Sequence, residues 1–276
     1  RTFNMDPARF EARITPRTRA AVVAHIAGEP ADMEAICGIA RRHGIMVVED
    51  CAQAHAATLN GRKVGSFGDI AAFSTMSGKH FATGAQGGVV YTANEQLHWR
   101  GKRFADRGKP FHMDAADGNV VPALNCNLND LSAAIGRVQL AKLPQAVAAR
   151  RAVADVVREG IAPCKAVSLG WQVPGAAAAY WFLRIRLDTS RLSCDKHAFV
   201  AALQAEGIPA SESYRHIPAE AAWARNRGAG WNPYAYGECT DRVPVLHNAI
   251  RSVEEHFTVA IHERCGGQEG RDIGAA

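Results

Sequence analysis

IMVVEDCAQAH, residues 45–55, is an apolar run of strand length that ends in two carboxylates and a short turn. Continuous apolar character over so few residues reads as a strand buried in a parallel sheet. Open α/β sheets bind their ligands beyond the carboxyl ends of such strands. Asp50 therefore stands where a functional carboxylate is expected.

Outward from this stretch, strand and helix signals alternate. Upstream lie a strand over residues 20–25 and a helix over residues 32–43, opened by Asp32 as N-cap and stopped by Gly44. Met33, Ile36, Cys37, Ile39 and Ala40 fall at helical spacing and give this helix one apolar face for the sheet. A crossover of this kind makes its flanking strands parallel. Downstream, strands are expected over residues 70–74 and 89–92, so the fold class is α/β. Helical patterns run from Glu95 to about Val157, with Leu131, Ala134, Ile135, Val138 and Leu140 marking a buried or dimer-contact face and Pro144 a break or new start. From Tyr180 a strand, a helix over residues 195–205 and a turn at residues 207–209 describe a smaller α+β unit. The division expected is a large domain in residues 1–145 and a small carboxyl-terminal domain in residues 146–276. Residues 224–237, rich in Gly, Asn and Pro, read as an exposed loop.

The second informative stretch is FSTMSGKHFATGAQGG, residues 73–88, which carries Lys79. A lysine amine is a nucleophile only when neutral, and burial or a cationic neighbour makes it so; Schiff-base chemistry uses that state. An aspartate on a parallel strand complements it, because a carboxylate facing the ring nitrogen of pyridoxal 5'-phosphate keeps that ring protonated and electron-withdrawing. Each residue also has a plainer use. Lys79 could be a solvated loop lysine, Asp50 an N-cap, and Gln53 and Ser74 partners for local backbone groups. His55 and His80 lie near the same site, where a lone histidine is more often structural than catalytic. Gly84, Gly87 and Gly88 read as a turn supplying positive φ; GAQGG lacks the spacing of a dinucleotide fingerprint and opens a strand instead of a helix.

These residues, with HIAGEPADM (25–33), EDCAQAHAA (49–57), GRKVGSFGDIAAFS (61–74), GKHFATGAQGGVV (78–90) and LNCNLNDLSAAIGRVQL (124–140), resemble the DegT/DnrJ/EryC1/StrS family of sugar aminotransferases. The likeness is carried by residues 4–151 and is weak beyond. It implies a fold-type-I pyridoxal phosphate enzyme whose large domain is a three-layer sandwich, here incomplete. By position, it implies that Lys79 forms the Schiff base, Asp50 pairs with the pyridine nitrogen, Gln53 bonds the cofactor's phenolic oxygen and Ser74 binds its phosphate. Asn125 matches an asparagine that reaches the phosphate of the partner subunit, implying a homodimer with shared sites. Asn127 stands where arginine is common and His80 where asparagine is common, and both departures bear on substrate recognition.

The family's preceding helix and Gly-Thr turn, which cradle the phosphate, and an aromatic that stacks on the ring have no counterpart here. The chain is therefore expected to be a fragment, truncated most at its amino end and without a closing helix. The resemblance implies transfer of an amino group from glutamate or glutamine to a keto group on a nucleotide-linked sugar or cyclitol. Two alternatives are dehydration of such a sugar, which retention of Lys79 opposes, and a silent, pyridoxal phosphate-binding or regulatory fragment.

Composition agrees without selecting. With 276 residues, 47% of them hydrophobic, the chain can bury a real core, and a net charge of +5 suits anionic small molecules better than nucleic acid. Seven scattered cysteines without a CxxC pair argue against a disulfide framework or a structural zinc site and for a reducing cytoplasm. Apolar runs are too short for a membrane helix. No metal is expected.

Overall fold

The computed structural model describes residues 2–114, 117–212 and 246–276; the loop expected over residues 224–237 lies outside them. Strand β1 (Ala20–Ala24) leads through α2 (Met33–Arg42) to β2 (Met46–Asp50), after a short α1 (Pro7–Glu11). The Asp32 side chain accepts from the Ala35 N–H and starts α2, and Gly44, at φ +64°, lets the chain leave it. Two short strands, β3 (Thr58–Leu59) and β4 (Arg62–Lys63), precede β5 (Ile70–Ser74) and β6 (Gly88–Tyr91). The first sheet runs in the order β1-β2-β5-β6, the first three strands parallel and β6 antiparallel. Asp50 pairs with Ala24 on one side and Ala72 on the other, which sets it at the carboxyl edge of all three parallel strands.

Only one face of this sheet is covered by the described residues. Ala21, Val23 and Val47 pack on Met33, Ile36, Cys37 and Ala40 of α2, each larger side chain contributing about 1.5–3 kcal/mol. On the opposite face Val22, Met46 and Val90 are exposed. The expectation of a strand buried on both sides thus holds for one side alone, because side chains alternate across a strand.

Helix α3 (Glu95–Ala105) and helix α4 (Asp130–Ile161) replace the long helical region expected, and the described residues between them, 106–114 and 117–129, are not helical. Asp106 there pairs with Arg107 and Lys109, and Arg107 and Gly108 both take positive φ. Pro144 neither breaks nor starts a helix; it lies inside α4. A helical proline costs about 3 kcal/mol, and its neighbours Leu143 and Val147 are buried against Cys51, Ala54, Val64 and Ala71, which offsets the cost. The face expected to be buried, Leu131, Ala134, Ile135, Val138 and Leu140, is exposed. The buried side of α4 lies further along.

Val153, Ala154, Val157 and Ile161 of α4 pack against the second sheet. Its strands are β7 (Val167–Leu169), β9 (Leu183–Leu187), β10 (Ala210–Ser211) and β11 (His256–Val259), in the antiparallel order β10-β11-β9-β7, while β8 (Ala176–Ala177) returns to pair with β3. Helices α5 (Lys196–Ala205), α6 (His247–Glu254) and α7 (Gly267–Ala275) complete this unit. Helix α7 contradicts the expectation that no helix closes the chain. Its sequence, GQEGRDIGA, has low intrinsic helix propensity, but Gly274 meets Gly160 of α4 so closely that a Cβ on Gly160 would stand 2.9 Å from the Gly274 Cα. Packing, which the local sequence does not carry, makes this helix.

Candidate active site

The site is built where β2 and β5 end. Glu49 points inward and is fully buried, accepting from the backbone N–H groups of Gly65 (2.7 Å), Phe67 (2.7 Å) and Gly68 (2.6 Å). His25 also donates to it through Nε2 at 3.1 Å, since its Nδ1 accepts from Ala31. Burial alone would raise the Glu49 carboxyl, but these hydrogen bonds outweigh it and the pKa is lowered. Asp50, the next residue, is exposed, and its Oδ1 accepts from the Ala52 N–H at 3.0 Å.

Lys79 sits in a loop pinned at its base. Thr75 N–H donates to Gly87 O (2.9 Å), Ser77 N–H to Ala85 O (2.9 Å) and Thr83 N–H to Thr75 O (3.0 Å), and the Thr75 and Thr83 hydroxyls bond each other at 2.9 Å. Of the three glycines read as a positive-φ turn, only Gly84 takes positive φ. Gly87 and Gly88 are needed for close approach, a Cβ on Gly88 falling 2.9 Å from Phe73 O. The Lys79 amine is half-buried; burial lowers its pKa and the Asp50 carboxylate pulls it back up. Lys79 and Asp50 therefore share one electrostatic field, and Lys79 Nζ lies 3.9 Å from the centroid of the Trp181 ring.

Ser74 ends β5, beside the end of β2, with its Oγ accepting from Met76 N–H at 3.3 Å. Gln53 Oε1 accepts from Ala27 N–H at 2.7 Å, holding a loop in which Ala27 and Gly28 both take positive φ. That loop is clasped by residues 179–181: Ala179 donates to Gly28 O (2.8 Å) and Trp181 to Ala27 O (2.9 Å). Asp50, Gln53, Ser74 and Lys79 are thus gathered at one end of the sheet. Asn125 is not joined to them by any hydrogen bond or ion pair among the described residues; it is exposed, bridges to Asp106 and accepts from Asn127.

Behind Lys79 lies a buried histidine pair. His80 Nε2 donates to Ala179 O at 3.1 Å, which leaves its Nδ1 to accept from His55 Nδ1 at 3.4 Å. Burial pushes His55 down to about 4 and His80 to about 3, with Arg150 adding to the shift at His80. Both are neutral at pH 7 and serve as structure. Sequence reasoning missed Trp181, which stands a hundred residues along the chain, and Glu49, whose inward direction only the sheet decides. His25, Glu49 and Cys51 bring three ligand-type atoms within 4.8 Å. The Glu49 carboxylate and both ring nitrogens of His25 are already bonded to protein groups, so this histidine has no lone pair free for a metal.

A parallel sheet with a lysine loop and an open carboxylate at its carboxyl edge suits the fold-type-I transferases, and solved aminotransferases share the whole fold. The structure agrees with that of an aminotransferase from Psychrobacter cryohalolentis at a TM-score of 0.81 and 27% identity, covering 99% of this chain and 71% of that one. In sequence the chain is 38% identical over 220 residues to a UDP-N-acetyl-3-dehydro-alpha-D-glucosamine 3-aminotransferase of Acidithiobacillus ferrooxidans, covering 79% of this chain and 56% of that protein. It is 35% identical over 214 residues to a GDP-perosamine synthase of Caulobacter vibrioides, covering 75% and 55%. The family profile of the DegT/DnrJ/EryC1/StrS aminotransferases matches residues 1–232. The chain belongs to that family. The match continues well past residue 151, where the likeness read from motifs faded, and the chain spans about half the length of the curated relatives it matches.

Proposed function

We propose that this chain carries the cofactor lysine and ring-nitrogen partner of an aminotransferase acting on a keto group of a nucleotide-linked sugar or cyclitol, with glutamate or glutamine as donor. The observation that carries this reading is the half-buried Lys79 amine, its pKa lowered by burial, in the field of the exposed Asp50 carboxylate. The donor set fits pyridoxal phosphate: an amine for its aldehyde carbon, a carboxylate for its ring nitrogen and the Ser74 hydroxyl for its phosphate. When bound, that group supplies an electron sink for the carbanion of the substrate.

The protein's own residues do the remaining work. In its neutral form, Lys79 Nζ takes the proton from the reacting carbon and returns it at a neighbouring atom. Asp50 fixes a negative charge at the sheet edge, and Glu49 behind it holds the loop of residues 65–68. Gln53 orients the Ala27–Gly28 loop. Relatives named for nucleotide-linked sugars support the substrate class. Retention of Lys79 favours transamination over dehydration.

Asn125 and the exposed apolar face of α4 support a homodimer in which Asn125 reaches its partner's site. The six free cysteines among the described residues suit a reducing cytoplasm. Among the described residues no helix is long and apolar enough to cross a membrane. The division near residue 145 is proposed on the same basis as the two cores that α4 joins. The test is absorbance of the chain mixed with pyridoxal phosphate, followed by borohydride reduction and peptide mapping. A pyridoxyl group fixed on Lys79 supports the reading, and fixation spread over other lysines with none at Lys79 refutes it.

A further inference from the structure

Trp181 makes two contacts to the lysine loop with one side chain. Its indole N–H donates to Gly78 O at 2.8 Å, and its ring face lies 3.9 Å from Lys79 Nζ. The backbone that carries this side chain is itself held. Trp181 N–H donates to Ala27 O at 2.9 Å, and its carbonyl accepts from Arg150 Nη1 at 3.2 Å. Arg150 is buried and also bonds Tyr180 O and Ile261 O. The main chain that presents this ring to Lys79 is therefore fixed from both units of the fold.

We propose that Trp181 is a positioning residue that seats the free Lys79 ammonium: its π face stabilises the protonated amine, and its N–H fixes the loop that carries it. The proposal rests on the role of Lys79 given above.

The charges around Lys79 explain why such a seat is useful. Asp50 favours the ammonium, whereas burial disfavours it. His55 and His80 face the same loop and are neutral at pH 7. When Lys79 accepts a proton, a C–H bond breaks with its electron pair left on the substrate carbon, an N–H bond forms, and an ammonium must wait in a half-buried place. An indole face attracts that cation but has no lone pair to take its proton. The proton stays on Lys79 and remains transferable.

The test measures the pH dependence of Lys79 acylation by acetic anhydride, read by peptide mass on the full chain without cofactor. Comparison is with Trp181→Phe, which keeps a π face, and Trp181→Leu, which keeps only apolar bulk. The midpoint is expected to fall in W181L, making Lys79 about threefold to tenfold more reactive below it, and to recover most of the way in W181F. Equal midpoints in wild type and W181L overturn the proposal. Should W181L not fold, tryptophan emission of the wild type minus that of Lys79→Met decides. A step at the Lys79 midpoint supports the seat, and a flat difference overturns it. Borohydride trapping of pyridoxal phosphate on the wild-type chain is run alongside. A shifted midpoint with no trapping on Lys79 would sink the functional reading and leave the Trp181–Lys79 relationship standing.

Discussion

Glu49 and Asp50, consecutive on β2, face opposite sides of the sheet: Glu49 is fully buried under three backbone N–H groups and His25, while Asp50 is exposed at the sheet edge. One carboxylate holds the fold and the next is open to chemistry.

Replacing Glu49 by Ala leaves the buried N–H of Gly65, the partly buried N–H groups of Phe67 and Gly68 and the buried His25 donor without an acceptor. Stability is expected to fall by about 3–5 kcal/mol, read as a lower urea midpoint. Glu49→Gln is expected to lose less, since an amide oxygen still accepts.

Asp50→Asn removes a charge that the fold does not need. Its urea midpoint is expected to stay within about 0.5 kcal/mol of wild type. Where amino transfer is assayed, it is expected to slow about 100-fold or more. Unchanged turnover would remove Asp50 from the site.

Lys79→Ala is expected to abolish the borohydride-fixed adduct and to slow amino transfer by at least about 100-fold. Lys79→Arg, which stays charged, is expected to behave alike.

Three buried histidines make the fold acid-sensitive. Burial lowers His55 to about 4, His80 to about 3 and His256 to about 4, the last also by the charge of Arg184. Their neutral forms belong to the folded state, so the unfolded chain binds more protons below its own histidine pKa of about 6.5. Their contribution is complete above that pH and is lost as pH falls towards 4 and then 3. Thermal midpoints measured from pH 7 to pH 4 are expected to drop. His80→Asn, which replaces one of the three, is expected to flatten that drop.

Gly28→Ala places a Cβ 2.7 Å from Tyr180 N at a φ of +84°. The clasp between this loop and residues 179–181 must open. Stability is expected to fall by more than about 1 kcal/mol, and exchange of the Trp181 amide hydrogen to quicken.

Leu131→Asp with Val138→Asp charges the exposed face of α4. Light scattering is expected to show a smaller species than wild type, at an unchanged thermal midpoint for the single chain. A wild-type chain that is monomeric at micromolar concentration would count against the dimer.

Much of the first sheet was legible because its signals are local. Asp32 caps α2 and Gly44 ends it through geometry within one turn, and the spacing of Met33, Ile36, Cys37 and Ala40 already names the buried face. Helix α7 was not legible, since its glycines argue against a helix until Gly160 of α4 is brought against them. Pro144 misled for the same reason: burial of Leu143 and Val147 against distant residues keeps α4 continuous. At the candidate site, Asp50 followed from its strand end and Lys79, Gln53 and Ser74 from motif likeness, while Asn125, taken from the same likeness, bonds Asn127 and none of these four.

By itself the sequence determined the parallel βαβ start, the strand end that carries Asp50 and the family to which the chain belongs, because capping, periodicity and motif spacing act over a few residues. The tertiary structure decided which neighbour of the Glu49–Asp50 pair is buried, which face of α4 is left open and that Trp181 lies against Lys79. Those outcomes depend on contacts between residues far apart in the chain, and such contacts exist only once two sheets and α4 have packed together.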